Sequence, residues 1–536
     1  MKYTVSRIGC AAACMALCLA LGCSCSVLPP ASGKPAAAAP SVPTDKNGNL
    51  LYDSSRLDDG RLRMLYGYDS SGDARTLLCG SKVLYQSARS EVVNILQDAV
   101  TSETNHWFRS WSDPTGQGGR RSALYDKEGS EVMAFDGEQS ATLQNGLLVL
   151  HENTGINEAA PTGACQVIDL ATGKSLPVPE GAYNCIVCGD YLVFNCYARP
   201  AGLAEDEWDD NINLNSWVIV QTRDGTQTLR ADSTYAYRIS YSPDELDGWV
   251  ELDTYTASGA PTTQTLYNPS TGESFADLQQ VCGNGMVSFR TENGKYELRD
   301  LTAEDRGLIA TFDDRPSYYF PGYVVTWHTD SDFGYELNDL VTGEVTPLYA
   351  SSVMGDTIAL YYEDGRLKVF STATGDLITD TTVEPVDNQQ SAMMNNEGSG
   401  YVWLELRDND NFETTATRVY GPEGLVSDLT HLQSKYDALN YLTTTPEGRP
   451  LYYGTAEAPS RSGSLCDVLD ETGNVALGLG GLGSCYSYYD NSLNQLPDHV
   501  FVARRGFYYG WMDTDGKWLY CRSIFSSINA DDEMGY

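Results

Sequence analysis

Three acidic clusters are the first residues in this chain that suggest chemistry: Asp408-Asn409-Asp410-Asn411-Phe412-Glu413, Asp330-Ser331-Asp332 and Asp513-Thr514-Asp515-Gly516. Closely spaced oxygen ligands of this kind are what calcium prefers. None completes a twelve-residue EF-hand loop, and Asp and Asn also build tight turns by accepting hydrogen bonds from their own backbone. The turn reading is the expectation, and no metal site is assigned. Cys185 and Cys188 form a Cys-x-x-Cys, yet no second pair and no nearby His completes a zinc site. On a strand, residues three apart point to opposite faces. Cys185, Cys188 and Cys196 are therefore expected as small, buried strand residues. The five histidines, His106, His151, His328, His431 and His499, are scattered singly, with no His-Glu-x-x-His and no nucleophile elbow. His328 follows Trp327 near the end of an apolar strand, where a hydrogen-bonded structural histidine is expected. No catalytic residue and no cofactor-binding residue is assigned, and no cofactor is expected.

The other chemical resource is aromatic: 35 Tyr, 9 Trp and 13 Phe. Tyr318-Tyr319-Phe320, Tyr361-Tyr362, Tyr452-Tyr453, Tyr486-Ser487-Tyr488-Tyr489 and Tyr508-Tyr509 put adjacent rings on opposite faces of a strand. Packing between sheets is the expectation, while exposed tyrosines beside acids would suit a sugar or peptide.

The elements that must hold these residues repeat. Turn glycines at Gly72, Gly129, Gly173, Gly225, Gly272, Gly307, Gly343, Gly375, Gly424, Gly473 and Gly516 stand about 44 residues apart on average, each between apolar runs. The clearest copies are Asp169-Leu170-Ala171-Thr172-Gly173-Lys174, Asn268-Pro269-Ser270-Thr271-Gly272-Glu273, Asp339-Leu340-Val341-Thr342-Gly343-Glu344 and Ser371-Thr372-Ala373-Thr374-Gly375-Asp376. A second glycine corner opens Gly146-Leu147-Leu148, Gly189-Asp190-Tyr191, Gly285-Met286-Val287, Gly322-Tyr323-Val324 and Gly355-Asp356-Thr357. Two hairpins per repeat give four strands per repeat. The fold expected is all-β, a β-propeller of four-stranded repeats over residues 59–526, as one large or irregular ring or, alternatively, two smaller propellers. The one helical candidate is 89–101, a short helix or irregular insertion.

These hairpins resemble those of quinoprotein-type propeller blades. Such blades carry a tryptophan shortly after the Thr-Gly, whereas this chain reads Lys174-Ser175-Leu176-Pro177 and Glu344-Val345-Thr346-Pro347. The likeness extends to the hairpin and not to a quinone. The last unit, Tyr509-Gly510-Trp511-Met512-Asp513-Thr514-Asp515-Gly516-Lys517-Trp518, resembles a bacterial WG repeat.

At the amino terminus, Lys2 and Arg7 precede an apolar run from Ile8 to Leu21, then Gly22-Cys23. This run is too short to span a bilayer and reads as a cleaved signal. It resembles a bacterial lipoprotein signal over 1–22, which implies lipid attachment at Cys23. Residues 23–58 form a Pro/Ala-rich tether, with Pro29, Pro30, Pro35, Pro40 and Pro43 keeping it extended. Residues 527–536 form a C-terminal tail.

The net charge of −38 repels phosphate backbones, which excludes nucleic acid as a partner. The expectation is a lipid-anchored protein on the extracytoplasmic face of the cell membrane, with the membrane as one partner through its lipid. It would bind a protein, peptide or glycan ligand without transforming it. The alternative is an extracellular glycan-active enzyme whose carboxylates converge at a channel mouth.

Overall fold

Short runs of Val, Ile, Leu, Tyr and Phe, each closed by Gly, Asn or Asp, can satisfy their backbone only by pairing with the next run. In this computed structural model they do so as antiparallel meanders. The structure describes residues 52–523 except 70–71, 88–90, 113–118, 153–164, 203–211, 240–245, 247, 257–260, 328–333, 385–388, 397–399, 409–412, 458–463, 481–483, 487–495 and 506–507. All of them belong to one compact unit, 39–536.

Among the described residues there are eight four-stranded sheets, one of three strands and one of seven, and strands adjacent in sequence are neighbours within each. The seven-stranded sheet is two units sharing one strand. Val345–Met354 pairs with Tyr335–Asp339 through its first half and with Thr357–Tyr362 through its second. Counted this way, sheets 1 to 11 follow one another along the chain, with strands here called A to D in each.

Ten of the eleven turn glycines lie at the hairpin between strands C and D, and the second set lies between A and B. Gly72 is the exception. Sheet 1 (Leu62–Asp69, Gly72–Cys79, Lys82–Gln86) is built from B, C and D alone, so its C-to-D glycine is Gly80. The ladders identify the strands. Strands C and D slip by one residue in sheet 1 between Leu77 and Leu78, as they do in sheets 2, 4 and 6. Within 89–101, the described residues 91–101 are not a helix. Val92–Leu96 is strand A of sheet 2, because Val93 and Ile95 alternate inward with period two while Val92 and Asn94 face out.

Each sheet is apolar on both faces, so its residues divide between two cores. Cys185 and Cys188 sit on one strand, yet Cys185 packs between sheets 3 and 4 and Cys188 between sheets 4 and 5. Tyr361 and Tyr362, Tyr452 and Tyr453, and Tyr508 and Tyr509 divide in the same way. Each side chain fully buried in this manner contributes about 1.5–3 kcal/mol relative to exposure. Eleven such clusters run from sheet to sheet. One of them joins Val500, Trp511 and Tyr520 of sheet 11 to Leu65 and Leu78 of sheet 1. Asp53 N donates to Trp518 O at 2.9 Å, Tyr52 packs edge-on to Tyr520 at 5.3 Å, and Arg522 donates to Thr76 Oγ1.

Gly510 shows why an aromatic-Gly-aromatic run is needed here. A Cβ at that position would lie 2.0 Å from the Tyr520 carbonyl oxygen on the adjacent strand. Only a residue without Cβ lets strands C and D of sheet 11 pair while Tyr509 and Trp511 enter the shared core.

Candidate functional site

An antiparallel meander brings the starts of strands A and C and the ends of B and D to one edge of its sheet. In sheet 2 that edge carries polar residues instead of apolar ones. Glu91 and Val92 open strand A, Ser110, Trp111 and Ser112 end strand B, and Arg120 opens strand C. Glu138 follows strand D. These seven residues line a pocket of about 160 Å³. Register sets the neighbours: Val92 lies opposite Ser110, and Ser112 opposite Arg120.

Both carboxylates in the pocket are held by arginines. Arg109 donates to Glu91 Oε1 at 2.6 Å, and Tyr85 donates its hydroxyl to Glu91 Oε2. The Arg109 guanidinium is sandwiched, 4.5 Å from the Tyr85 ring and 4.3 Å from the Trp111 ring. Burial, then the hydrogen bond to Glu91, push the Tyr85 hydroxyl well above its ordinary value. Burial is the largest influence and works against the Arg109 charge, but the Glu91 bond together with the charges of Tyr85, Glu91 and Tyr125 outweighs it and the guanidinium is raised. Arg120 pairs with Glu138, the arginine largely exposed and the glutamate largely covered. The pocket therefore offers carboxylate acceptors, guanidinium donors, two serine hydroxyls and an indole, with the charges already balanced.

The residues singled out from sequence fall elsewhere. Cys23, residues 1–22, the tether as far as Leu51, the tail, Asp330-Ser331-Asp332, His328, Asn409 to Phe412 and Tyr488-Tyr489 lie outside the described residues. The end of the stretch read as a tether is instead part of the body: Ser54–Leu57 is a 3-10 turn, and Leu57 is buried in the core shared by sheets 1 and 11. Asp513 is a turn builder: its Oδ1 accepts from the Asp515 and Lys517 amides at 3.1 and 2.9 Å. Asp169 and Asp339 do the same at the repeat hairpins, and bonds from the Thr342 and Val341 amides, against burial, hold the Asp339 carboxyl below its ordinary value. Among the described residues, eight cysteines are free thiols. Burial pushes Cys165 and Cys196 up to about 12 and Cys185 well above 9.0, which keeps them as unreactive thiols. The described histidines do not converge. His151 Nδ1 contacts Tyr183 O at 3.0 Å, His499 Nδ1 contacts Thr444 O at 2.7 Å, burial lowers His106 below its ordinary value, and His431 lies on an exposed 3-10 turn.

The sheet 2 pocket was not picked out from sequence. Its residues are spread over 91–138, and Trp111 stands alone among serines, so only pairing of the strands assembles them.

The chain belongs to the family described as Domain of unknown function (DUF5046), whose model matches residues 265–532, half of its length. That span begins within strand C of sheet 5, so the sheet 2 pocket precedes it. No protein with a curated description matches the chain. Among solved structures it is similar to a eukaryotic initiation factor, at 11% identity and a TM-score of 0.32 over 68% of this chain and 94% of that one. It is similar also to BamB from Moraxella catarrhalis, at 10% identity and a TM-score of 0.25 over 66% and 95% of the two chains. Sqt1 from Saccharomyces cerevisiae matches at 10% identity and a TM-score of 0.23 over 69% and 91%.

Proposed function

We propose that this chain is a lipid-anchored propeller protein of the extracytoplasmic membrane face that binds a glycan at the sheet 2 pocket and does not transform it. The observation that carries the reading is the pairing of each pocket carboxylate with its own arginine. A general acid needs a carboxyl free to meet the leaving group, whereas Glu91 is engaged by Arg109 and Tyr85 and Glu138 by Arg120. Carboxylates, serines and an indole together suit sugar hydroxyls and the apolar face of a sugar ring.

Cys23 carries the anchor in this reading, supported by the apolar run before it and the extended tether after it. The eleven sheets form one ring, supported by the core that sheet 11 shares with sheet 1.

Each part has its own test. Cys23→Ala should move the protein from the membrane fraction to the soluble one, or stop its maturation; unchanged fractionation and processing would remove the anchor. An oligosaccharide array probed with the soluble body should give a defined set of ligands, lost with Trp111→Ala. Binding that Trp111→Ala leaves intact would remove the pocket from the reading.

A further inference from the structure

Sheet 5 packs on sheet 6 through Trp249, Leu266 and Phe275, but strands A and B of that same face also carry polar residues. On strand B, Val250–Tyr255, the residues Glu251, Asp253 and Tyr255 alternate with Val250 and Leu252, which pack toward sheet 4. Register places Tyr235 opposite Asp253 and Tyr237 opposite Glu251 on one side, and Gln264 opposite Asp253 on the other. One sheet face thus carries two carboxylates among three tyrosines. The Tyr235 and Tyr237 rings are 4.5 Å apart, the Tyr237 and Tyr255 hydroxyls 3.5 Å, and Tyr183 of sheet 4 lies 6.5 Å from Tyr235.

The acids are unlike those of the sheet 2 pocket. Among the described residues neither Glu251 nor Asp253 has a cationic partner. Glu251 accepts from Gln264 Nε2 at 3.0 Å, and its carboxyl also meets that of Asp253. Asp253 is 8% exposed, and its Oδ1 is buried with no hydrogen-bond partner. A buried acceptor in that state costs free energy unless something supplies the missing donor or positive charge. Tyr237, at 41% exposed, leaves the face open to solvent. Burial, reinforced for Glu251 by the neighbouring Asp253, raises both carboxyls above their ordinary values, as expected of acids without a counter-charge.

We propose that this face is a second binding site, for an alkylammonium group, with the tyrosine rings caging the cation and Asp253 and Glu251 accepting or balancing its charge. Rings of tyrosine attract a cation through their negative faces, and the attraction grows when the cation is desolvated. The two acids lie in adjacent rows of the sheet, so one ammonium can address both. A compact metal ion is less well matched. Among the described residues no third His, Cys, Asp or Glu joins the pair to complete a cage.

The probes are n-butylammonium chloride and choline chloride, titrated calorimetrically into the full chain, with sodium and calcium chloride as controls. The expected result is saturable binding of an ammonium probe, weakened at least about tenfold by Asp253→Asn or Tyr237→Ala but little by Tyr237→Phe, which keeps the ring. Melting temperatures of the variants at or above that of the parent exclude misfolding as the cause. A primary-amine source is indicated if butylammonium binds more tightly, and a methylated one if choline does. No saturable binding of either probe, equal binding by Asp253→Asn, or calcium binding in their place would overturn the proposal. Trp111→Ala leaves this site untouched, so its failure and that of the glycan pocket are separable.

Discussion

Truncating Trp511 to alanine tests the join between the ends of the chain. The indole is 1% exposed in the core shared by Leu57, Leu65 and Leu78 near the start and Val500, Val502 and Tyr520 near the end. Removing a buried tryptophan costs about 3–5 kcal/mol, from lost transfer energy plus the cavity left behind. That is a substantial share, about a fifth or more, of a typical net stability of about 5–15 kcal/mol. The ring adds a condition on how the loss is felt. If sheet 1 closes on sheet 11, the two ends support each other and calorimetry should show one transition shifted to lower temperature. Trp403→Ala, cut from the core between sheets 9 and 10, should shift the same single transition by a similar amount. A Trp511→Ala protein that melts in two steps, with most of the enthalpy in an unshifted transition, would show the terminal sheets to be a detachable appendage.

Three further outcomes concern single positions in the structure. Gly510→Ala should destabilise by at least about 1–3 kcal/mol in a denaturant titration, because its methyl would meet the Tyr520 carbonyl; a change below 0.5 kcal/mol would contradict the close approach. Glu251→Gln with Asp253→Asn should raise the melting temperature at pH 7. The native carboxyls lie above their ordinary values of 4.5 and 3.8, so the native state binds the extra protons and the parent loses stability as pH rises through that range. The gain should fade in acid, and a pH-independent gain would refute the cause. Asp98 behaves in the opposite sense. Its carboxylate accepts from the amides of Val100, Thr101, Asn145 and Gly146, which hold it below 3.8 despite burial. Its contribution should be present above pH 4 and lost as pH falls further, and Asp98→Asn should flatten that acid limb of the melting profile.

The hairpins were legible in the sequence because glycine at C-to-D and A-to-B corners is a local requirement, met at Gly173, Gly343 and Gly189 where φ is positive. Burial of the Cys185 and Cys188 thiols was legible for the same local reason, the two-residue period of a strand. The shared strand Val345–Met354 was not, since its two halves look like separate hairpin arms until one backbone serves both. Strand Val92–Leu96 was not legible, because Val92 is apolar yet exposed and Leu96 is buried on the opposite face from Val93 and Ile95, so its sequence shows no clean alternation. The sheet 2 pocket depends on register between strands up to 47 residues apart, which no local pattern records. The sheet 5 face did leave a trace: Tyr235-x-Tyr237 and Glu251-x-Asp253-x-Tyr255 place like residues at every second position. The adjacent tyrosine pairs among the described residues, the more conspicuous signal, pack between neighbouring sheets.

The most direct test of glycan binding without transformation is to incubate the full chain with an oligosaccharide selected by array, follow binding by calorimetry, and weigh the sugar afterwards by mass spectrometry. The expected result is saturable binding, abolished by Trp111→Ala, with the oligosaccharide recovered at its original mass. Cleaved sugar would contradict the non-catalytic reading, and the absence of any saturable glycan ligand would contradict the function itself.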